Sequence, residues 1–197
     1  LGAFKKTHPD IHVQLVVKNR NDILDRLHHN IDDFVIMSQL PDNLKIDYQP
    51  FYEDELVVAA STDYQFKTKK LRTLQDLKNE AWLIREQGSG TRIAMFNLFK
   101  KYQLNTPFEM ELDNNESIKQ AIISSMGISI LSKQSIELEE KLGLIKIPRI
   151  KEFPVAHEWY LVKSKGKKLS PIAQEFYDYV RLHPEVCHFN LKKLSRG

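Results

Sequence analysis

Ala81-Trp82-Leu83-Ile84-Arg85-Glu86-Gln87-Gly88-Ser89-Gly90-Thr91-Arg92 is the stretch on which the reading of this chain turns. Ala81 to Ile84 is a short apolar run, the mark of a buried strand. Gly88 and Gly90 bracket a sharp turn. From Ser89, Thr91 or Arg92 onward the pattern becomes helical, with Ile93, Met95, Phe96, Leu98 and Phe99 recurring near the helical period. Strand, Gly-Ser-Gly-Thr turn and helix follow one another within twenty residues. Such a turn presents free backbone N–H groups, two hydroxyls and the positive end of a helix dipole, which together suit a carboxylate or phosphate. A capped helix start with no ligand uses the same residue types, because Ser and Thr are ordinary N-caps.

Working outward, strands and helices alternate from end to end. A helix around Phe4 stops before Pro9, and Ile11, Val13, Leu15, Val16 and Val17 read as a strand. Asn21 or Asp22 caps a helix carrying Ile23, Leu24 and Leu27. Phe34-Val35-Ile36-Met37 and Leu56-Val57-Val58-Ala59-Ala60 are continuous apolar runs, as in buried parallel strands. Ser61 to Leu71 is polar and basic and reads as a loop or crossover. A second series follows: a short helix with Leu71, Leu74 and Leu77, the strand at Trp82, the helix from Thr91 to Tyr102 and the strand Phe108 to Leu112. It continues with a helix from Glu116 to Ser124, a strand Ile128 to Leu131, a helix Gln134 to Lys141 and a strand Leu144 to Ile147. Trp159-Tyr160-Leu161-Val162 is a last strand, and Ser170-Pro171 opens a last helix, with Pro at a favoured first position. This alternation predicts an α/β fold with parallel sheets.

The 197 residues carry 29 basic and 26 acidic side chains, for a net charge of +3. The charges are interspersed, which argues against this chain gripping nucleic acid by itself. No apolar run approaches the roughly 20 residues of a membrane span, so no membrane partner is expected. The start of the chain reads as a short amphipathic helix rather than a signal peptide. The single cysteine, Cys187, excludes an internal disulfide and suits a reducing cytosol, so the expected location is cytoplasmic.

Enzyme chemistry fits poorly. Ser89 lacks the first glycine of a G-x-S-x-G elbow and has no marked His or Asp partner. There is no Walker signature and no G-x-G-x-x-G, so no cofactor is expected. His28 and His29 are neighbours pointing about 100° apart on a helix and do not chelate one ion easily. His8, His12, His157, His183 and His188 have no ligand spacing, and no metal is expected. Lys163, Lys165, Lys167 and Lys168 read as a solvated turn. In Ser124-Ser125-Met126-Gly127-Ile128 a helix ends and Gly127 turns the chain into a strand.

Taken in order, four stretches resemble the effector-binding domain of LysR-type transcriptional regulators. They are Leu1 to Ile11, Asp32 to Met37, Ile84 to Arg92, and Met126-Gly127-Ile128-Ser129-Ile130-Leu131-Ser132. The resemblance implies two Rossmann-like subdomains joined by two crossover strands, as in type 2 periplasmic binding proteins. Subdomain I takes 1–60 plus 155–182, with its first strand upstream of Leu1; subdomain II takes 61–154; 183–197 is a C-terminal tail. A small organic or phosphorylated anion is expected in the cleft between the subdomains. By that reading Gln87, Gly88, Ser89, Gly90 and Thr91 supply donors, and Arg85 and Arg92 add charge. Met37, Ser38 and Gln39 face the anion from the other side, and Gly127 and Ile128 line it through backbone. The residues from Arg85 to Arg92, Trp159 to Val162 and Lys165 to Ser170 look most like regulators of carbon fixation and inorganic-carbon uptake. Their effectors are phosphoglycolate, ribulose bisphosphate or 2-oxoglutarate.

The family further implies dimers and tetramers, with the helix from Asn21 to His29 and that near Ser135 to Lys141 as dimer faces. DNA is contacted only through an amino-terminal winged helix-turn-helix, which the 197 residues do not contain. The main alternative is the solute-binding protein of a transporter, which shares the two-lobed architecture. Enzymes resembling porphobilinogen deaminase or prephenate dehydratase also share it, but their catalytic marks are missing.

Overall fold

A computed structural model describes residues 1–183. Cys187, His188 and nearly all of the expected C-terminal tail lie outside the described residues. The chain divides into two compact units: unit 1 takes Leu1–Glu53 and Glu158–Gly197, and unit 2 takes Asp54–His157. The elements in order are α1 (Gly2–Thr7), α2 (Arg20–His28), β1 (Val35–Met37), β2 (Ile46–Ser61), β3 (Trp82–Arg85), α3 (Gly90–Lys101), β4 (Phe108–Leu112), α4 (Asn115–Ile123), β5 (Ser129–Ser132), α5 (Glu137–Lys141), β6 (Ile145–Lys146), β7 (Val155–Ser164) and α6 (Pro171–Leu182). Strands β2 and β7 each run from one unit into the other.

The units change over at 53/54 and 157/158, whereas the sequence reading put the changes at 60/61 and 154/155. The reason is pairing. Leu56 to Ala59 lie in register with Ser132 to Ser129, and Ala60 and Ser61 with Lys146 and Ile145. The apolar end of β2 therefore belongs to unit 2. The polar first half of β2 was not legible as a strand, because it contains Pro50 and no apolar run.

In unit 1, β1 pairs antiparallel with β7, Val35 opposite Val162 and Met37 opposite Tyr160. Leu27, Val35, Met37 and Val162 form one core cluster, and Leu161, Tyr177 and Val180 another. The expectation of parallel strands fails here. β1 is half-buried, with Ile36 outward, as suits an antiparallel edge. Helix α2 is capped by Asn19, whose side chain accepts from Asp22 N–H at 3.0 Å, rather than by Asn21 or Asp22. Ile11 to Val17 is not a strand among the described residues, and Leu15 and Val17 are 66% and 81% exposed. A period-two apolar pattern becomes a strand only when a neighbour accepts its hydrogen bonds.

Unit 2 holds the predicted second series. β3 and β4 pair in parallel, and Trp82 bridges in parallel to Ile128 just ahead of β5. β5 then pairs antiparallel with β2, so the parallel expectation holds for part of this unit only. Trp82, Ile84, Met95, Leu98 and Phe99 pack with Ile128 and Ile130 on one side. Leu83, Ile118, Ile122, Leu131 and Ile136 form the other cluster. A strand with apolar residues on both faces reads as a continuous run, which is why β3 was legible.

One charged group is built into this packing. Lys119 Nζ lies 2.8 Å from Glu116 and 2.8 Å from Glu139, with side chains 9% and 13% exposed for Lys119 and Glu139. Burial pulls the Lys119 pKa down, but its bonds to Glu116 and Glu139 outweigh this, and the net shift is upward. The other Glu139 oxygen is buried without a hydrogen bond. Removing the ammonium leaves a half-desolvated carboxylate, and Lys119→Met is expected to destabilise the chain by about 2–4 kcal/mol. Adding Glu139→Leu is expected to restore most of that loss, as read by thermal melts of the single and double variants.

Candidate functional site

The turn after β3 is fixed from several directions. Gly88 has a φ of 91°, in the left-handed region where a side chain is strained. Ser89 N–H donates to Glu86 O at 3.2 Å, and Gln87 N–H to Glu111 Oε1 at 3.3 Å. Ser89 is the N-cap of α3, and its carbonyl accepts the first helical bond, from Ile93 N–H at 3.1 Å. The amides of Gly90, Thr91 and Arg92 precede that bond and have no intrahelical acceptor.

The caps of the longer helices differ in one respect. Asn19, Asn114 and Ser170 each accept a backbone N–H at the start of α2, α4 and α6. Ser89 makes no such side-chain bond at α3, although it is 2% exposed. The first turn of α3 also carries no acidic residue. Capping of α3 by the Ser89 hydroxyl, an ordinary role for a serine at this position, is not observed.

The two arginines are already partnered. Arg85 grips Glu86 with Nε at 2.7 Å and Nη2 at 3.0 Å, and its Nη1 reaches Asn115 Oδ1 at 2.5 Å. Arg92 donates to Arg85 O at 2.8 Å and to Glu111 Oε2 at 2.5 Å. The Arg92 guanidinium, with Gln87 N–H, holds the Glu111 carboxyl below its ordinary range, so Glu111 is charged at neutral pH. Each arginine is neutralised locally. The charge expected of Arg85 is thus spent on Glu86.

Sequence reasoning missed Glu86, Glu111 and Asn115. Glu86 was adjacent and visible. Glu111 comes near only through the parallel register of β3 and β4, which sets Ile84 opposite Glu111. A pairing between strands this far apart in sequence leaves no local signal.

Gly127 and Ile128 serve as a joint. Ile128 donates to Ala81 O at 2.8 Å and accepts from Leu83 N–H at 2.8 Å. Both backbone groups of Ile128 are thus committed to the β3 segment, and its side chain is fully buried. Gly127 does not supply the left-handed residue after α4; Ser125 does, with a φ of 58°. Glycine is required at 127 for a different reason: a Cβ there would sit 2.5 Å from Ala81 O and 3.0 Å from Leu83 Cγ.

Met37, Ser38 and Gln39 lie in unit 1, and Arg85 to Arg92, Gly127 and Ile128 in unit 2. The Met37 side chain is 5% exposed and packs in the unit 1 core. Ser38 and Gln39 follow β1, and Arg20 Nε holds Gln39 O at 2.9 Å. Among the described residues, no group of three or more His, Cys, Asp or Glu is placed to hold a metal. No helix among them is long and apolar enough to cross a membrane.

The chain is 40% identical over 186 residues to the HTH-type transcriptional activator CmpR of Synechocystis, covering 94% of this chain and 61% of that protein. It is 34% identical to the RuBisCO operon transcriptional regulator of Allochromatium vinosum, covering 97% of this chain and 63% of that protein. The chain thus spans 61–63% of the length of these curated relatives. The regulatory domain of Synechocystis PCC6803 CcmR, solved in complex with 2-PG, is 39% identical, with a TM-score of 0.87 over 93% of this chain and 88% of that one. The effector binding domain of QuiR, at 21% identity and a TM-score of 0.81 over 95% of this chain and 90% of that one, shows the same fold. CmpR and the Allochromatium vinosum protein are transcriptional regulators by name, and the CcmR segment is named a regulatory domain. The LysR substrate binding domain family matches residues 1–184, and the chain belongs to that family.

Proposed function

We propose that this effector-binding domain senses a small phosphorylated or dicarboxylic anion, and that the anion sits on the start of α3. The observation that carries the proposal is the uncapped helix end: Ser89 makes no capping bond, and the amides of Gly90, Thr91 and Arg92 have no helical acceptor. An anion there gains charge-assisted bonds from backbone N–H groups, helped by the dipole of a 12-residue helix. The Ser89 and Thr91 hydroxyls add donors, with Gln87 and Gly88 shaping the turn. Arg92, pinned to Glu111 and to Arg85 O, holds the first turn of α3 in place. Met37, Ser38 and Gln39 of unit 1 and Gly127 of unit 2 belong to the same proposal through the family resemblance. The likeness to the CcmR domain, solved with 2-PG, supports a small anion of this kind.

No bond is made or broken in this reading. Binding acts only through a difference in affinity between two conformational states, which sets the largest shift the ligand can produce. In the whole protein that shift is passed to a DNA-binding segment and to the packing of dimers and tetramers, with α2 and the region of α5 as the contact faces.

Isothermal titration with phosphoglycolate, ribulose bisphosphate and 2-oxoglutarate tests the proposal. One of the three is expected to bind with simple stoichiometry. The variant Ser89→Ala/Thr91→Ala is expected to weaken that binding at least about tenfold. Its melting temperature should stay near that of the parent, because the Ser89 side chain does not cap the helix. Unchanged affinity in this variant would remove α3 as the site.

A further inference from the structure

Unit 2 carries a groove of about 500 Å³ that involves none of the residues of the α3 site. Its floor is apolar: Val57, Leu71, Ile147, Ile150 and Phe153. Val57 and Ile150 are core residues, each 3% exposed, so that part of the floor is continuous with the unit 2 core. Four cations stand around it: Arg72, Lys133, Arg149 and Lys151. Lys133 is tied to Glu55 at 2.7 Å. Arg72, Arg149 and Lys151 have exposed side chains and no ion-pair partner among the described residues. The wall is pinned in place, since Lys151 N–H donates to Arg72 O at 2.8 Å and Leu74 N–H to Glu152 Oε2 at 2.9 Å.

A mostly apolar open groove of this size, with Arg149 and Lys151 on its rim lacking an ion-pair partner among the described residues, has the composition of a small-molecule site. The floor offers burial to an apolar body, and the rim offers charge-assisted bonds to its acid group. A sugar phosphate or a short dicarboxylate would leave the apolar floor unused, so the groove asks for a different ligand from the one assigned to α3. We propose that this groove is a second binding site, for a small amphipathic anion: a carboxylate, sulfonate or phosphate on an aromatic or branched aliphatic body.

The probe is 8-anilinonaphthalene-1-sulfonate, which joins an aromatic body to a sulfonate. Its fluorescence titration into the chain is expected to saturate at one site, and to weaken as salt rises from about 0.05 to about 0.5 M. Arg149→Gln/Lys151→Gln is expected to raise the dissociation constant at least about tenfold with little change in melting temperature, since neither side chain has a partner to lose. Ser89→Ala/Thr91→Ala is expected to leave dye binding unchanged, and saturating phosphoglycolate should not displace the dye. Equal binding by the Arg149/Lys151 variant, failure to saturate, or displacement by phosphoglycolate would each overturn the proposal. None of these outcomes depends on whether the α3 site holds its own anion.

Discussion

Trp82→Ala is expected to cost about 3–5 kcal/mol and to lower the melting temperature by about 10 °C. Trp82 is fully buried and is the largest such side chain in the described residues. Its ring meets Phe99 edge-on at 4.9 Å, and its Nε1 donates to Leu77 O at 3.1 Å. Truncation therefore opens a cavity under α3 and removes one of the two hydrogen bonds that Leu77 O accepts, the other coming from Glu80 N–H at 3.1 Å. Trp82→Phe keeps most of the volume and loses the hydrogen bond, and a smaller loss of about 1–2 kcal/mol is expected. Thermal and urea melts of the two variants separate the terms. A Trp82→Ala protein as stable as the parent would mean that β3 is not the centre of the unit 2 core.

Gly127→Ala is the second large effect, out of proportion to one methyl group. The added Cβ would lie 2.5 Å from a backbone oxygen, which has no rotamer with which to retreat. Either Ala81 or Ile128 must move, and the bond between Ile128 N–H and Ala81 O at 2.8 Å goes with it. Overpacking of this kind is expected to destabilise by about 2–3 kcal/mol. Gly2→Ala is the control, because a Cβ at Gly2 meets nothing within 4 Å. The same substitution should be neutral there, and a melt of both proteins reads the contrast. Because the Gly127 joint ties β5 to the strand that leads into the α3 turn, Gly127→Ala is also expected to weaken anion binding at α3.

The parts of the fold that were legible are those whose cause is local. Trp82 to Arg85 is a short apolar run with a turn behind it, and α3 has a helical period, so both could be placed within a residue or so. Ser170-Pro171 gave the start of α6, because a capping hydroxyl and a proline at the first position act within one turn. Where the cause lay elsewhere, reading the pattern misled. Val35 to Met37 has the composition of a parallel strand and pairs antiparallel, since its direction is set by β7, more than a hundred residues later. Ile11 to Val17 alternates like a strand and is not one, since alternation does not provide a partner. The first half of β2 carries Pro50, Asp47 and Glu53, yet it is extended as part of one long strand.

The candidate site divides in the same way. By itself the sequence determined that a Gly-Ser-Gly-Thr turn starts a helix, and that such a start exposes amides able to hold an anion. These follow from glycine's freedom at positive φ and from the open end of any helix. Only the tertiary structure decided what surrounds those amides. It set Glu111 beside Arg92 through the β3–β4 register, turned Arg85 onto Glu86 and Asn115, and left the Ser89 hydroxyl without a capping bond. It also replaced the reason for Gly127, from backbone conformation to close approach by Ala81. Composition and spacing report on neighbours along the chain, whereas charge balance and steric clearance depend on neighbours in space, which come together only when the strands pair.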